Sequence, residues 1–191
     1  MKIITVPHRT LRTQAQPIKS LTPELLSLSK NLGKTLLEKT SPSGVGLAAP
    51  QVNQSWRMFV THVAPDGDED NQAKLELYIN PVIVKTSPKH TFGPDPEYPI
   101  LEGCLSIPLL YGAVPRWEWV EVEYQKIVDD KLVSEKVRVE GFEARVIQHE
   151  YDHLEGILFT DYVVQYDLPL YQTKKHSENL VEVDSRVALG F

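Results

Sequence analysis

The sequence predicts an α+β fold: short, mostly antiparallel β-sheets packed around a central helix that carries a His-Glu-x-x-His pattern. Three observations predict it. A leucine-rich helical stretch lies near the start, and a second helical stretch lies near the end. Between them the chain alternates or runs apolar in short bursts, broken by Gly, Pro, Asn and Asp. The chain shows no internal repeat, low-complexity tract or long linker. One domain over residues 1–191 is therefore expected, with 165–191 as a weakly patterned tail.

The elements follow in order. "SLTPELLSLSKNLGKTLLEKT" places Pro23 behind a capping Thr22 and then repeats Leu25, Leu26, Leu28, Leu32, Leu36 and Leu37, which is an amphipathic helix. "SPSGVGLAAPQ" reads as a loop. "SWRMFVTHV" and "KLELYINPVIV" read as strands joined by the acidic turn "PDGDED". "KTSPKHTFGPDPEYP", with its four prolines, is expected to be an irregular loop, and "ILEGCLSIP" a short apolar strand. "WVEVEYQKIV" and "LVSEKVRVE" form a hairpin about Asp129-Asp130, and "FEARVIQHEYDHLEGILF", residues 142–159, a helix. Trp117 and Trp119 alternate on a strand and read as cladding on one sheet face, with no chemical role.

Bulk properties exclude some functions. A composition of 41% hydrophobic and 24% charged residues suits a globular core. No apolar run reaches membrane-helix length, and "MKIITVPHRT" lacks an apolar stretch or cleavage site, so no membrane partner and no secretion are expected. A net charge of −6 without a basic cluster argues against nucleic acid as direct substrate. One cysteine, Cys104, cannot form an internal disulfide, and a cytoplasmic setting is expected.

The last helix poses a conflict. At ~100° per residue, with Phe142 set to zero, His149, Glu150 and His153 fall on the face that carries the apolar Val146, Ile147 and Leu154. Arg145, Gln148, Tyr151, Asp152 and Glu155 fall on the opposite, polar half. Inward-facing ionisable groups need partners, and a metal ion supplies one. Histidines at i and i+4 stack on one helix face and can grip one cation, while the glutamate beside the first ring reaches a water on it. A surface helix with coincidental histidines is the plainer alternative.

A catalytic site of this type needs a third protein ligand. Downstream no His-x-x-Gly-x-x-His continuation exists, and His176 lies in the tail. Upstream, Cys104 in "EGCLSIP" offers a thiolate, a strong ligand for a borderline cation. Inert packing is the alternative for a lone cysteine. "GVGLAAPQ", residues 44–51, reads either as a tight turn or as a place where a substrate backbone lies close, with the Gln51 amide donating to developing negative charge.

Together "GVGLAAPQ", "EGCLS" and "QHEYDH" resemble the three signature motifs of the peptide deformylases, each complete and in order, with "LYINP" and "VPR" also similar. The resemblance runs from about Val6 to Tyr162. It implies a metal-dependent hydrolase that removes the formyl group from the N-terminal formyl-methionine of newly made polypeptides and releases formate. Cys104, His149 and His153 would hold one divalent metal, iron(II) first, with zinc, nickel or cobalt as alternatives. Glu150 would be the general base and acid. The Gln51 side chain and the Leu105 backbone N–H would stabilise the oxyanion. Gly44, Val45, Gly46 and Gly103 would line the substrate, with Val45 and Gly46 pairing in strand fashion, and Ile147 and His149 would contribute to an apolar methionine pocket. Glu102 and Arg116 would form a supporting ion pair. For Asp152 the choice is between a solvated carboxylate on the helix surface and an anchor behind the site.

Two features depart from the family pattern. The loop over residues 86–99 is long, and His90 within it reads as a solvated residue. The tail sets Lys174, Lys175 and Arg186 against Asp167, Glu178, Glu182 and Asp184, so it does not resemble the basic helix by which some relatives dock on the ribosome. Proximity to the ribosome remains in keeping with a nascent-chain substrate. The competing readings are a general zinc-dependent peptidase using the same helix and a non-catalytic metal-binding module.

Overall fold

The computed structural model describes residues 1–40, 43–64, 72–173 and 179–189. The acidic turn at 65–70 lies outside the described residues, as do Lys174, Lys175, His176 and Glu178 of the tail. Helix α1 (Pro23–Glu38) starts where expected: Thr22 accepts the Leu25 N–H and Pro23 occupies the first turn, where its missing donor costs nothing. Strands β1 (Gly46–Ala48), β2 (Met58–Val63) and β3 (Lys74–Thr86) follow. The expected hairpin is β8 (Trp119–Val128) and β9 (Lys131–Glu140). Its two-residue turn holds Asp129 and Asp130 at positive φ of 47° and 56°, the twist that a tight hairpin requires.

These strands make an antiparallel sheet in the order β1-β2-β3-β8-β9. It is covered on both faces, which explains why the successive Met58, Phe59 and Val60 of β2 are all apolar and buried. Met58 and Val60 pack with Leu25, Leu28, Leu32 and Leu36 of α1. Phe59 points the other way, to Ala144, Ile147 and Leu154 of helix α2 (Gly141–Glu155). Pro81 sits where the β3–β8 register shifts, a place where a missing donor is tolerated.

A second sheet, β11-β10-β6-β5, comprises β5 (Leu101–Cys104), β6 (Ile107–Ala113), β10 (Leu170–Thr173) and β11 (Leu180–Val183). It packs with helix α3 (Phe159–Gln165) through Ile107, Leu110, Phe159, Val163 and Leu170. The chain closes with a five-residue helix, α4 (Ser185–Leu189).

Several expectations are corrected. "ILEGCLSIP" is not one strand: the chain turns at Leu105 and Ser106, so β5 and β6 pair with each other and Cys104 stands at the bend. The loop after β3 is not wholly irregular. It contains β4 (His90–Thr91), which pairs with β7 (Arg116–Trp117). Trp117 and Trp119 therefore lie on separate strands: Trp117 stacks on His90, and Trp119 lies under Arg138. The helix expected through 159 ends at Gly156, whose φ of 74° is left-handed. A Cβ there would also meet the Arg12 backbone at 2.8 Å. Weak patterning misrepresented the tail, because Leu170 is buried and β10 pairs with β6.

The polar half assigned to α2 is also corrected. Arg145, Gln148 and Asp152 are buried, because β7 packs on the side away from the large sheet and side chains from β5 and α3, Glu102 and Tyr162, reach it there. Each makes hydrogen bonds there, with only Arg145 Nε left without a partner among the described residues, which is how a polar helix face survives enclosure. The Gln148 amide donates to the Trp117 carbonyl and accepts the Trp117 N–H, both at 2.9 Å, in the manner of an added strand.

Candidate active site

Three elements converge on one cavity of about 210 Å³. β1 is the outer strand of the large sheet and β5 the outer strand of the small one; α2 packs against β1 and reaches Glu102 of β5 through His149 and Arg145. The ligand atoms of Cys104, His149 and His153 lie within 4.8 Å of one another, with Cys104 Sγ 3.2 Å from His153 Nε2. One thiolate and two imidazoles within that span fit a single borderline divalent cation. The electrostatics agree. Burial lowers the pKa of both rings, and His153 stays well below its ordinary value. At His149, Cys104 and Glu102 outweigh burial and raise the pKa well above the ordinary value, so positive charge is favoured between those two groups.

Behind His149 stands a charge network. Its Nδ1 lies 3.0 Å from Glu102 Oε2, while Arg116 grips both Glu102 oxygens at 2.9 and 2.8 Å and Asp152 at 2.5 Å. Arg145 adds a third cationic contact to Glu102 at 3.2 Å. Burial alone would raise the Glu102 pKa, but Arg116 and His149 hold it well below the carboxylate range. Burial dominates at Asp152 and pushes its pKa up against the pull of Arg116. The network continues to Tyr162, whose hydroxyl donates to Asp152 and whose pKa burial pushes up to about 12. Asp152 is thus enclosed, not solvated.

Glu102→Gln keeps the shape but takes the charge from behind His149. Metal affinity is expected to fall by about 10–100-fold. A metal-buffered titration reads it, with a melting curve as control, because breaking a buried ion pair costs about 3–5 kcal/mol. Unchanged affinity in a folded variant would mean that the carboxylate does not orient the ligand.

The other groups face the same cavity. Glu150 lines it and is 3% exposed, and its Oε2 has no hydrogen-bond partner among the described residues. Burial pushes its pKa up to about 7. Gly46 has to be glycine for Glu150's sake, since a Cβ there would fall 2.7 Å from the carboxyl carbon. Gln51 Oε1 accepts the Ala48 N–H at 2.8 Å, which turns its Nε2 toward Cys104 Sγ (3.5 Å) and Ser106 Oγ (3.4 Å). Gly44, Val45, Gly103 and Leu105 line the cavity as well.

Not every expected residue is there. Ile147 faces the large-sheet core and is fully buried in it; Phe142 and Val146 line the cavity in its place. One position along a helix turns a side chain by ~100°, which is enough to exchange pocket for core. His90 is exposed and stacks on Trp117. The residues that sequence reasoning missed are Arg145, Ser106 and Gln148. The signal for Arg145 was its spacing, one turn before His149 on the same helix.

Comparison with known proteins agrees with this geometry. The family described as polypeptide deformylase matches residues 1–168. A peptide deformylase of Salinibacter ruber is 36% identical over 85% of this chain and 80% of its own length. Peptide deformylase 1 of Bacillus cereus is 39% identical over 87% of this chain and 94% of its own length. A class I type b peptide deformylase from Acinetobacter baumannii superposes with a TM-score of 0.70 at 30% identity, covering 85% of this chain and 97% of that one. With a match over most of its length and relatives above 30% identity, the chain belongs to the polypeptide deformylase family.

Proposed function

We propose that this chain hydrolyses the formyl amide at the N-terminus of newly made formyl-methionyl polypeptides, with the cavity between β1, β5 and α2 as its catalytic centre. One observation carries the reading. Cys104, His149 and His153, the unpartnered Glu150 oxygen and the Gln51 amide all meet at one cavity. Cys104, His149 and His153 would hold a divalent cation, which would supply Lewis acidity and make water a nucleophile near neutral pH. Iron(II) is the cation proposed, and zinc, nickel and cobalt suit the same donors.

Every other role belongs to the chain. Glu150 takes the proton from the water that adds to the formyl carbon. As the carbon–nitrogen bond breaks, it returns that proton to the leaving amine, giving formate and a free amino terminus. A pKa near 7 suits a group that must both accept and donate. Gln51 Nε2 and the Leu105 N–H face the developing oxyanion. The peptide pairs along the outer edge of β1 at Val45 and Gly46, beside Gly44 and Gly103. The methionine side chain enters among Ile100, Phe142, Val146 and His149. The A. baumannii relative was solved with Met-Ala-Ser bound, a tripeptide of the product class.

Residues 1–191 act as one catalytic domain in the cytoplasm, near the ribosome; among the described residues of the tail no basic helix offers a dock. No helix among the described residues is long and apolar enough to cross a membrane. The test is formate release from formyl-Met-Ala-Ser by anaerobically purified, metal-quantified protein, run beside an unformylated peptide. Formate release with intact internal bonds is expected. Cleavage of internal bonds without formate would favour a general peptidase, and metal binding without either activity a non-catalytic module.

A further inference from the structure

Arg145 is only 3% exposed, yet it touches three separate pieces of chain. Its guanidinium donates to the Thr91 carbonyl on β4 at 2.9 Å, to the Val114 carbonyl after β6 at 2.7 Å, and to Glu102 on β5 at 3.2 Å. Thr91 ends β4 and stands at the base of the segment 92–99 of the long loop. Immediately beyond it the Thr91 hydroxyl bonds with Gly93, and Ile100 N–H closes the loop onto the Phe92 carbonyl at 2.7 Å. Gly93 is packed against that closure, since a Cβ there would come within 3.2 Å of Ile100 N. Ile100 and Leu101 then form one wall of the cavity. A continuous path therefore runs from α2, through Arg145 and Thr91, to Ile100.

We propose that Arg145 is a positioning residue that fixes the Ile100 wall of the substrate cavity by fastening the base of the 92–99 segment to the helix bearing His149 and His153. The proposal rests on reading the cavity as the pocket for the substrate's first side chain. The choice of residue follows from shape. A planar fork of five donors spans three acceptors at once, whereas an ammonium of similar reach is a single point. Buried carbonyls left without donors are costly, so loss of the fork releases the loop from the helix. The effect is assigned to substrate binding, because the two carbonyls that Arg145 holds, Thr91 and Val114, belong to the chain around the cavity wall, whereas Glu102 behind His149 keeps both of its bonds to Arg116.

Arg145→Lys separates these possibilities. For formyl-Met-Ala-Ser, KM is expected to rise about tenfold, the size of one lost charge-assisted hydrogen bond, and by more than any fall in kcat. The Ile100 amide is expected to exchange with solvent faster, with metal content retained. Gly93→Ala, which wedges the same closure from the loop side, is expected to raise KM similarly. The double variant is expected to be less than additive, as for two breaks in one path. An Ile100 amide as protected as in the parent protein would overturn the proposal. So would a fall in kcat at constant KM, or loss of metal, either of which would assign Arg145 to the Glu102–His149 pair instead. Amide exchange requires no substrate, so its result stands even if the parent protein releases no formate, an outcome that would defeat the proposed function separately.

Discussion

Glu150→Gln is expected to lower turnover of a formyl-methionyl peptide by about 10⁴-fold, the upper range for a positioned general base, while the protein keeps its metal. The carboxyl lines the cavity with one oxygen unpartnered, so the amide that replaces it can occupy the space but cannot take and return a proton. The change is nearly isosteric where space is short, because the Gly46 backbone lies directly against the Glu150 side chain. Loss of fold does not explain the expected result. Burial raises the Glu150 pKa to about 7, above its value in an unfolded chain. The wild-type contribution is thus fully present at low pH and is lost as pH rises through about 7. Removing the ionisable group therefore favours the fold of the metal-free protein on the alkaline side. Single-turnover kinetics with metal quantification decide the matter. Near-normal activity with metal bound would remove Glu150 from the mechanism.

The sequence made the chemistry more legible than its enclosure. His149, Glu150 and His153 could be placed together because a helix repeats every 3.6 residues, and a short segment suffices to show it. Cys104 followed from what a cation lacks once two imidazoles are counted. Burial on the far side of α2 could not be read this way. Arg145, Gln148 and Asp152 form a polar stripe in sequence, and a polar stripe ordinarily faces water. Here it faces β7 and side chains from β5 and α3, and what makes it tolerable is a set of partners more than 30 residues away, such as Arg116 for Asp152 and Trp117 for Gln148. Local periodicity carries no information about such partners.

Boundaries failed for a related reason. Ile157 and Leu158 continue the helical spacing, but Gly156 takes a left-handed turn against the Arg12 backbone, a contact that exists only once the chain has folded. Likewise "EGCLSIP" reads as one apolar run although it bends at Leu105 and Ser106. That bend brings Cys104 toward His153 and lets the Ser106 N–H reach its sulfur at 3.4 Å. The tail lacked a strong period because β10 and β11 are four residues each, too few for alternation to stand out.

Gln51→Leu is expected to lower kcat/KM by about 10²–10³-fold, the usual cost of one oxyanion donor, with most of the loss in kcat. The structure gives the amide two tasks on opposite atoms. Its Oε1 accepts the Ala48 N–H, which fixes the plane of the amide; its Nε2 is thereby aimed past Ser106 Oγ at the sulfur of Cys104, where the formyl oxygen is proposed to develop charge. Leucine of similar volume removes both. The lost donor lowers the rate, and the orphaned Ala48 N–H destabilises the fold by about 1–3 kcal/mol, so activity has to be normalised to folded protein. Gln51→Glu separates the tasks: its carboxylate still accepts from Ala48 but offers no donor to the oxyanion, and its charge opposes the developing one. If the donor is what matters, the glutamate variant is at least as slow as the leucine variant at equal metal content. Wild-type kcat in either variant, or loss of metal in the leucine variant, would place the oxyanion contact elsewhere, with the Leu105 N–H as the remaining donor.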